Sequence, residues 1–180
     1  MSPLGGGTES ALGRYLPPLD PAGDEPVQVR LEGLPPALLL AAREQHDGLL
    51  RELRLLWLED DAGEAHPSAR LSELVAALVV QGTPPRSRRD EEIEAALARG
   101  QERIDLVERV PVAAGEVAER LGELLADGDR LCEQGQLMTL PRSPLLRRFT
   151  TWYLEQYRDQ VQGRPPVRWD GPTRISPSSD

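Results

Sequence analysis

IDLVERVPVAAGEVAERLGELLADGDRLCEQGQLMTLPRSPLLRRFTTWYLEQYRDQVQG, residues 104–163, carries one layout twice. A short alternating segment, Ile104 to Val110, meets Pro111 and passes into a long amphipathic run ending near Glu133. A second one, Gln136 to Leu140, meets Pro141 and Pro144 and passes into a run ending near Gln162. Period-two alternation predicts half-buried strands, and the longer period predicts helices. Proline suits each junction, because it stops a strand and fits a first helical turn. In the last helix Ser143 caps, Pro144 takes the first position and Gly163 closes the C-terminus.

The same layout opens the body of the chain. Val27-Gln28-Val29-Arg30-Leu31 is followed by Pro35-Pro36 and a helix to about Leu58, with Leu39, Ala42, His46, Leu49, Leu53 and Leu56 on one stripe. Two shorter helices lie between. One carries Leu71, Leu74, Val75, Leu78 and Val79; the other is capped by Asp90 and carries Ile93 and Leu97. The linker from Glu59 to Pro67 is polar. The expected class is α+β, helix-rich, with about five helices against a small sheet of up to three strands. Residues 1–26 and 164–180 are rich in Gly and Pro and read as disordered tails, leaving a single globular domain over 27–163.

Composition excludes much chemistry. The 180 residues contain no Lys and no Asn, so all 21 basic residues besides histidine are Arg. This bias, with abundant Ala, Leu, Gly and Pro, is that of a GC-rich genome such as an actinobacterial one. Schiff-base catalysis, the phosphate-cradling P-loop and the protein-kinase site each need a Lys. The net charge of −9 disfavours nucleic acid, whose binding is driven by cation release from phosphates. The one basic cluster, Arg86-Ser87-Arg88-Arg89, is followed directly by Asp90, Glu91 and Glu92 and reads as a solvated loop. Cys132 is the only cysteine, so no internal disulfide forms and a reducing compartment fits. The N-terminus has neither the basic start nor the apolar run of a signal peptide. No stretch reaches the roughly 20 apolar residues of a membrane helix. A cytoplasmic protein without membrane contact is expected.

Candidate reactive groups are few. A zinc site needs three or four converging His, Cys or carboxylate ligands. The chain offers only His46, His66 and Cys132, widely spaced, beside its carboxylates. No metal, no cofactor and no catalytic residue is expected. His46 reads first as a core histidine, and second as a polar site served by Glu44, Asp47 or Arg43. His66 lies in the polar linker and reads as surface. Cys132, on the inner side of a helix carrying Val117, Leu121, Leu124, Leu125 and Leu131, reads as structural; a nucleophile would need an electropositive setting. The last helix carries Leu145, Phe149, Trp152, Tyr153 and Tyr157 on a wide stripe, with Arg147, Arg148 and Arg158 beside them. Core packing is its first reading. Its functional reading is a contact face of Arg148, Trp152, Tyr153 and Tyr157, because Trp, Tyr and Arg are the usual interface anchors. Trp169 either tucks back onto the body or is presented to a partner.

Residues 103–163 and the segment VRLEGLPPALLLAAREQHDGLLRELRLL resemble a group of uncharacterised actinobacterial proteins associated with anti-sigma-factor and phosphatase signalling. The resemblance spans roughly residues 27–170 and rests on apolar and proline patterns. It implies a place in partner switching, in which regulators sequester and release one another. The opening layout is also similar to the ATP-binding anti-sigma kinases, but their helix Asn and Gly-rich Asp-x-Gly-x-Gly segment have no counterpart here. Neither Asp60-Asp61-Ala62-Gly63-Glu64 nor Asp127-Gly128-Asp129 reproduces it. The expected function is therefore non-catalytic regulation through a protein partner, with homo-oligomers allowed. The alternatives are a small enzyme with a site around His46 and a sensor for an apolar ligand held among the long helices.

Overall fold

The computed structural model describes residues 26–60 and 88–175; for 50, 53–60, 88 and 89 only the backbone is described. In chain order the elements are β1 (Val27–Leu34), α1 (Pro36–Asp60), α2 (Arg88–Ala98), β2 (Ile104–Val110), α3 (Ala114–Glu133) and α4 (Pro144–Val161). The class is α+β, with four helices and one two-stranded antiparallel sheet among the described residues. The short helix expected around Leu71–Val79 falls outside them, as do residues 1–25.

Both strands form where alternation places them. Val29 pairs with Glu108 and Leu31 with Leu106, which turns Val29, Leu31, Leu106 and Val110 to one buried face. The other face carries Gln28, Arg30, Asp105, Val107 and Arg109 and meets solvent. The register breaks between Leu31 and Leu34. Gly33 sits in that break with φ of 69°, a backbone setting that disfavours a side chain, and donates its N–H to Asp105 Oδ1 at 2.6 Å.

α4 lies against β1 and packs along α3. Its start and stop follow local chemistry. Ser143 Oγ accepts from Leu146 N at 3.3 Å, and Pro144 needs no donor in the first turn. At the other end Gly163 N–H reaches Gln160 O and Arg164 N–H reaches Asp159 O, the paired closure of a Schellman motif. α3 meets α4 through small residues. Ala114, Gly115 and Ala118 are buried, and a Cβ on Gly115 would lie 2.5 Å from Val161 Cγ2. The core joins these elements to Leu38 and Leu39 of α1 and Ile93 of α2. Of the first helix's expected stripe, Leu39 and Leu49 are buried, Ala42 and His46 are half-buried, and the side chains of Leu53 and Leu56 lie outside the description.

Two expectations change. Residues 136–140 alternate as a strand would but form none. A strand needs a neighbour at about 4.8 Å to take its backbone bonds, and here side chains of α1 take them instead. Among the described residues the sheet has two strands, within the three allowed by the sequence. Secondly, 164–175 is not a free tail. Val167 N–H donates to Gln156 Oε1 at 2.8 Å, Val167 O accepts from Trp152 Nε1 at 2.8 Å, and Trp169 N–H donates to Glu32 O at 2.9 Å. Arg103 clamps the segment from the far side by donating to the carbonyls of Trp169 and Gly171, each at 2.8 Å. Trp169 is 2% exposed, so the packed body runs past the expected boundary at 163. Residues 176–180 lie outside the described chain.

Candidate protein-contact surface

The expected aromatic face lies mostly inside. Trp152 is 8% and Tyr157 2% exposed, Tyr153 is half-buried, and only Arg148 stands in solvent. Trp169 covers Trp152, at 5.4 Å between ring centroids, and stands edge-on to Phe149 at 5.6 Å. Arg148 in turn sits 5.3 Å from the Trp169 ring centre and pairs with Asp170 at 2.7 Å. The polar ends of the aromatics are satisfied internally. The Tyr153 and Tyr157 hydroxyls lie 3.0 Å apart, and Tyr157 donates to Glu108 Oε2 at 2.8 Å. Arg148 and Trp152 are brought together around Trp169; Tyr153 and Tyr157 are brought together against β2. The four do not share one open surface.

His46 is half-buried on α1. Burial holds its pKa below the ordinary 6.5, with Asp47 acting upward and Arg142 downward. It lines neither of the two grooves described below. Cys132 is half-buried, and its thiol is pushed up by burial and by the carboxylates of Asp129 and Glu52, so it stays protonated at neutral pH. Among the described residues no group of three His, Cys, Asp or Glu side chains could hold a metal ion, and no helix is long and apolar enough to cross a membrane.

The surface feature that stands out is the connection between α3 and α4. Met138 is 94% and Leu140 79% exposed, while Leu137 between the helices is buried. The chain here is tied at successive residues. The Glu52 carboxylate of α1 accepts from Met138 N and, at 2.7 Å, from Thr139 N. Burial pulls the Glu52 pKa up. Hydrogen bonds from the Thr139 side chain and from both N–H groups outweigh it, and the net shift is downward. Gln45 Nε2 donates to Leu140 O at 2.5 Å. Below the loop, buried Asp129 accepts from Arg142 N at 2.9 Å and from Arg142 Nε and Nη2 at 3.1 and 2.8 Å. Arg147 adds a contact to Asp129 at 3.3 Å, a bond to Arg142 O at 2.9 Å and a pair with Glu133 at 2.5 Å. The bidentate Arg142–Asp129 pair is the strong form of such contacts.

A groove of about 890 Å³ runs from this network along α3 and α4, lined by Ala118, Gly122 and Leu154 and by many charged groups. Its arginines are matched from within. Arg120 pairs with Glu123, Arg130 with Asp127, Arg142 and Arg147 with Asp129, and Arg158 with Glu155 and Asp159. A groove so neutralised offers no surplus cation to an anionic ligand. A smaller recess of about 340 Å³ lies beside Trp152 and Trp169, and Arg148, Glu155, Arg168 and Asp170 also line it. Charged groups line both spaces beside apolar ones, Leu124 and Leu154 in the groove and Trp152, Val167 and Trp169 in the recess.

Sequence reasoning missed the Glu52–Met138–Thr139 tie, the Asp129–Arg142–Arg147 network and the Arg103 clamp. The nearest signal is the apolar run Leu137-Met138 with Leu140, whose alternation points to a strand. No family model, curated protein or solved structure matches this chain.

Proposed function

We propose that this chain is a non-catalytic regulator that works by protein–protein contact, with the Leu137–Leu140 loop as its contact element. The observation that carries the proposal is a loop whose backbone is bound at Met138, Thr139, Leu140 and Arg142 while Met138 and Leu140 stand in solvent. Burying those two side chains in a partner gains apolar contact. Little backbone remains to be ordered, so little is lost to entropy on binding. Methionine adds an adaptable, polarisable surface suited to docking.

The partner class comes from the resemblance of residues 27–170 to proteins of anti-sigma-factor and phosphatase signalling. The partner is a regulator of a sigma factor or of a stress response, and binding shifts it between free and sequestered states. Such a shift requires different affinity for the partner's two states. The cytoplasm is the compartment in which a lone free Cys132 and this partner class agree.

The test is capture from the native host with the full-length chain and with Leu140→Asp. A signalling regulator recovered by the unaltered chain and reduced about tenfold or more by Leu140→Asp, at unchanged circular dichroism, is the expected result. Recovery of the same protein undiminished by the variant contradicts the assignment of the loop. Recovery of no signalling regulator contradicts the partner class.

A further inference from the structure

The two edges of the sheet are treated differently. On β1, the outer edge is closed by side chain and strap. Gln160 Oε1 accepts from Arg30 N and its Nε2 donates to Arg30 O, both at 2.8 Å, copying a strand's paired bonds, and Trp169 N–H takes Glu32 O. On β2 no strand of the described chain pairs with the far edge. Among the described residues α4 makes its main sheet contact with β1. An open edge is a template for another strand, and a two-stranded sheet is only marginally stable by itself.

We propose that β2 is a dimerisation edge: two copies of this chain pair antiparallel through Ile104–Val110 about a two-fold axis at Val107, giving a four-stranded sheet. The argument is the self-complementarity of the strand. In antiparallel pairing about a two-fold axis normal to the sheet, the solvent faces of both copies stay on one side, so only residue-centred registers are allowed. Centred on Val107, Asp105 of each copy meets Arg109 of the other, twice. Val107, 56% exposed on an otherwise polar face, covers its own twin. Ile104 meets Val110 at both ends. The neighbouring registers fail on charge. Centred on Leu106, Arg103 opposes Arg109; centred on Glu108, the two Glu108 carboxylates oppose each other. Opposite charges across a ladder stabilise it and like charges directly opposed destabilise it. Arg109 is exposed and makes no ion pair among the described residues. Asp105 is 61% exposed while holding Gly33 N–H and Arg168. The contact is one strand wide, so the dimer is of the weak, concentration-dependent kind. It uses none of the loop residues assigned above and stands independently of that assignment.

Sedimentation of the full chain up to millimolar concentration tests this. The unaltered chain shifts from monomer to dimer with concentration. Arg109→Asp sets a second carboxylate opposite Asp105 at both ends of the register and stays monomeric. Asp105→Arg stays monomeric alone but forms a heterodimer when mixed with Arg109→Asp, because each strand then meets its opposite charge. Asp105→Arg also removes the acceptor of Gly33 N–H, so a second measurement guards against misfolding. In a Cys132→Ser background, Val107→Cys forms an intermolecular disulfide on mild oxidation and Met138→Cys does not. A chain that remains monomeric at all concentrations overturns the proposal. So does a dimer indifferent to Arg109→Asp, or equal cross-linking from both cysteine positions.

Discussion

The aromatic face of α4 and the loop that precedes α4 are neighbouring apolar stretches of the C-terminal half, and they meet opposite fates. Phe149 and Trp152 are buried beneath Trp169 and Tyr157 is buried against β2, whereas Met138 and Leu140 stand in solvent. The difference does not lie in hydrophobicity, since the more aromatic stretch is the hidden one. It lies in where the backbone bonds go. The strap 167–171 spends its N–H and C=O groups on β1, Gln156, Trp152 and Arg103, and so brings a tryptophan down onto the helix. The loop spends its own on Glu52, Gln45 and Asp129, and so leaves its side chains facing out. Among the described residues the five aromatic side chains, Phe149, Trp152, Tyr153, Tyr157 and Trp169, lie in or against the core, and the exposed large apolar side chains are all aliphatic.

The comparison breaks most readily at the strap. Trp169→Ala removes the lid over Phe149 and Trp152 and is expected to cost about 3–5 kcal/mol, read as a lower midpoint in chemical denaturation. It also exposes the α4 aromatics to dye binding. The next largest effect is expected at the base of the loop. Asp129→Ala leaves Arg142 without its buried partner and should cost about 3 kcal/mol, with faster amide exchange at Arg142.

Acid should loosen the same side of the molecule in two stages. His46 has a folded-state pKa below 6.5, so the unfolded chain takes up a proton that the folded chain resists. Its stability is complete above 6.5 and declines as pH falls below that value. Glu52 also has a depressed pKa. Its contribution is present above the ordinary 4.5 and is lost as pH falls through the folded value. The denaturation midpoint should fall first near pH 6.5 and again in the carboxylate range. His46→Gln removes the first step and Glu52→Gln the second; a midpoint flat from neutrality to pH 4.5 in the unaltered chain contradicts the assignment. The smallest effect belongs to Met138→Ser with Leu140→Ser. Stability should change by no more than about 0.5 kcal/mol, because neither side chain is packed.

Local signals were legible where local chemistry acts. Ser143, Pro144 and Gly163 marked both ends of α4, and alternation marked β1 and β2. The same alternation over 136–140 misled, because period alone does not supply a neighbouring strand. The strap misled in the opposite sense. RPPVRWDGP has the composition of a tail, and nothing within it reveals that Arg103, Glu32 and Gln156 will bind it. The tied loop 137–140 was illegible for the same reason, since Glu52 and Gln45 reach Met138 and Leu140 across 86 and 95 residues of sequence. The aromatic–Arg pattern of α4 fits both a core and an interface, and only the position of Trp169 separates them.

The most direct test of the contact assignment is site-specific photo-crosslinking in the native host, with the photoreactive residue placed at Met138 in one strain and at Trp152 in another. The account predicts a discrete heterologous adduct from position 138, abolished when Leu140→Asp is added, and none from position 152 beneath the strap. An adduct from 152 with none from 138 would contradict it, returning the contact face to the aromatic stripe of α4.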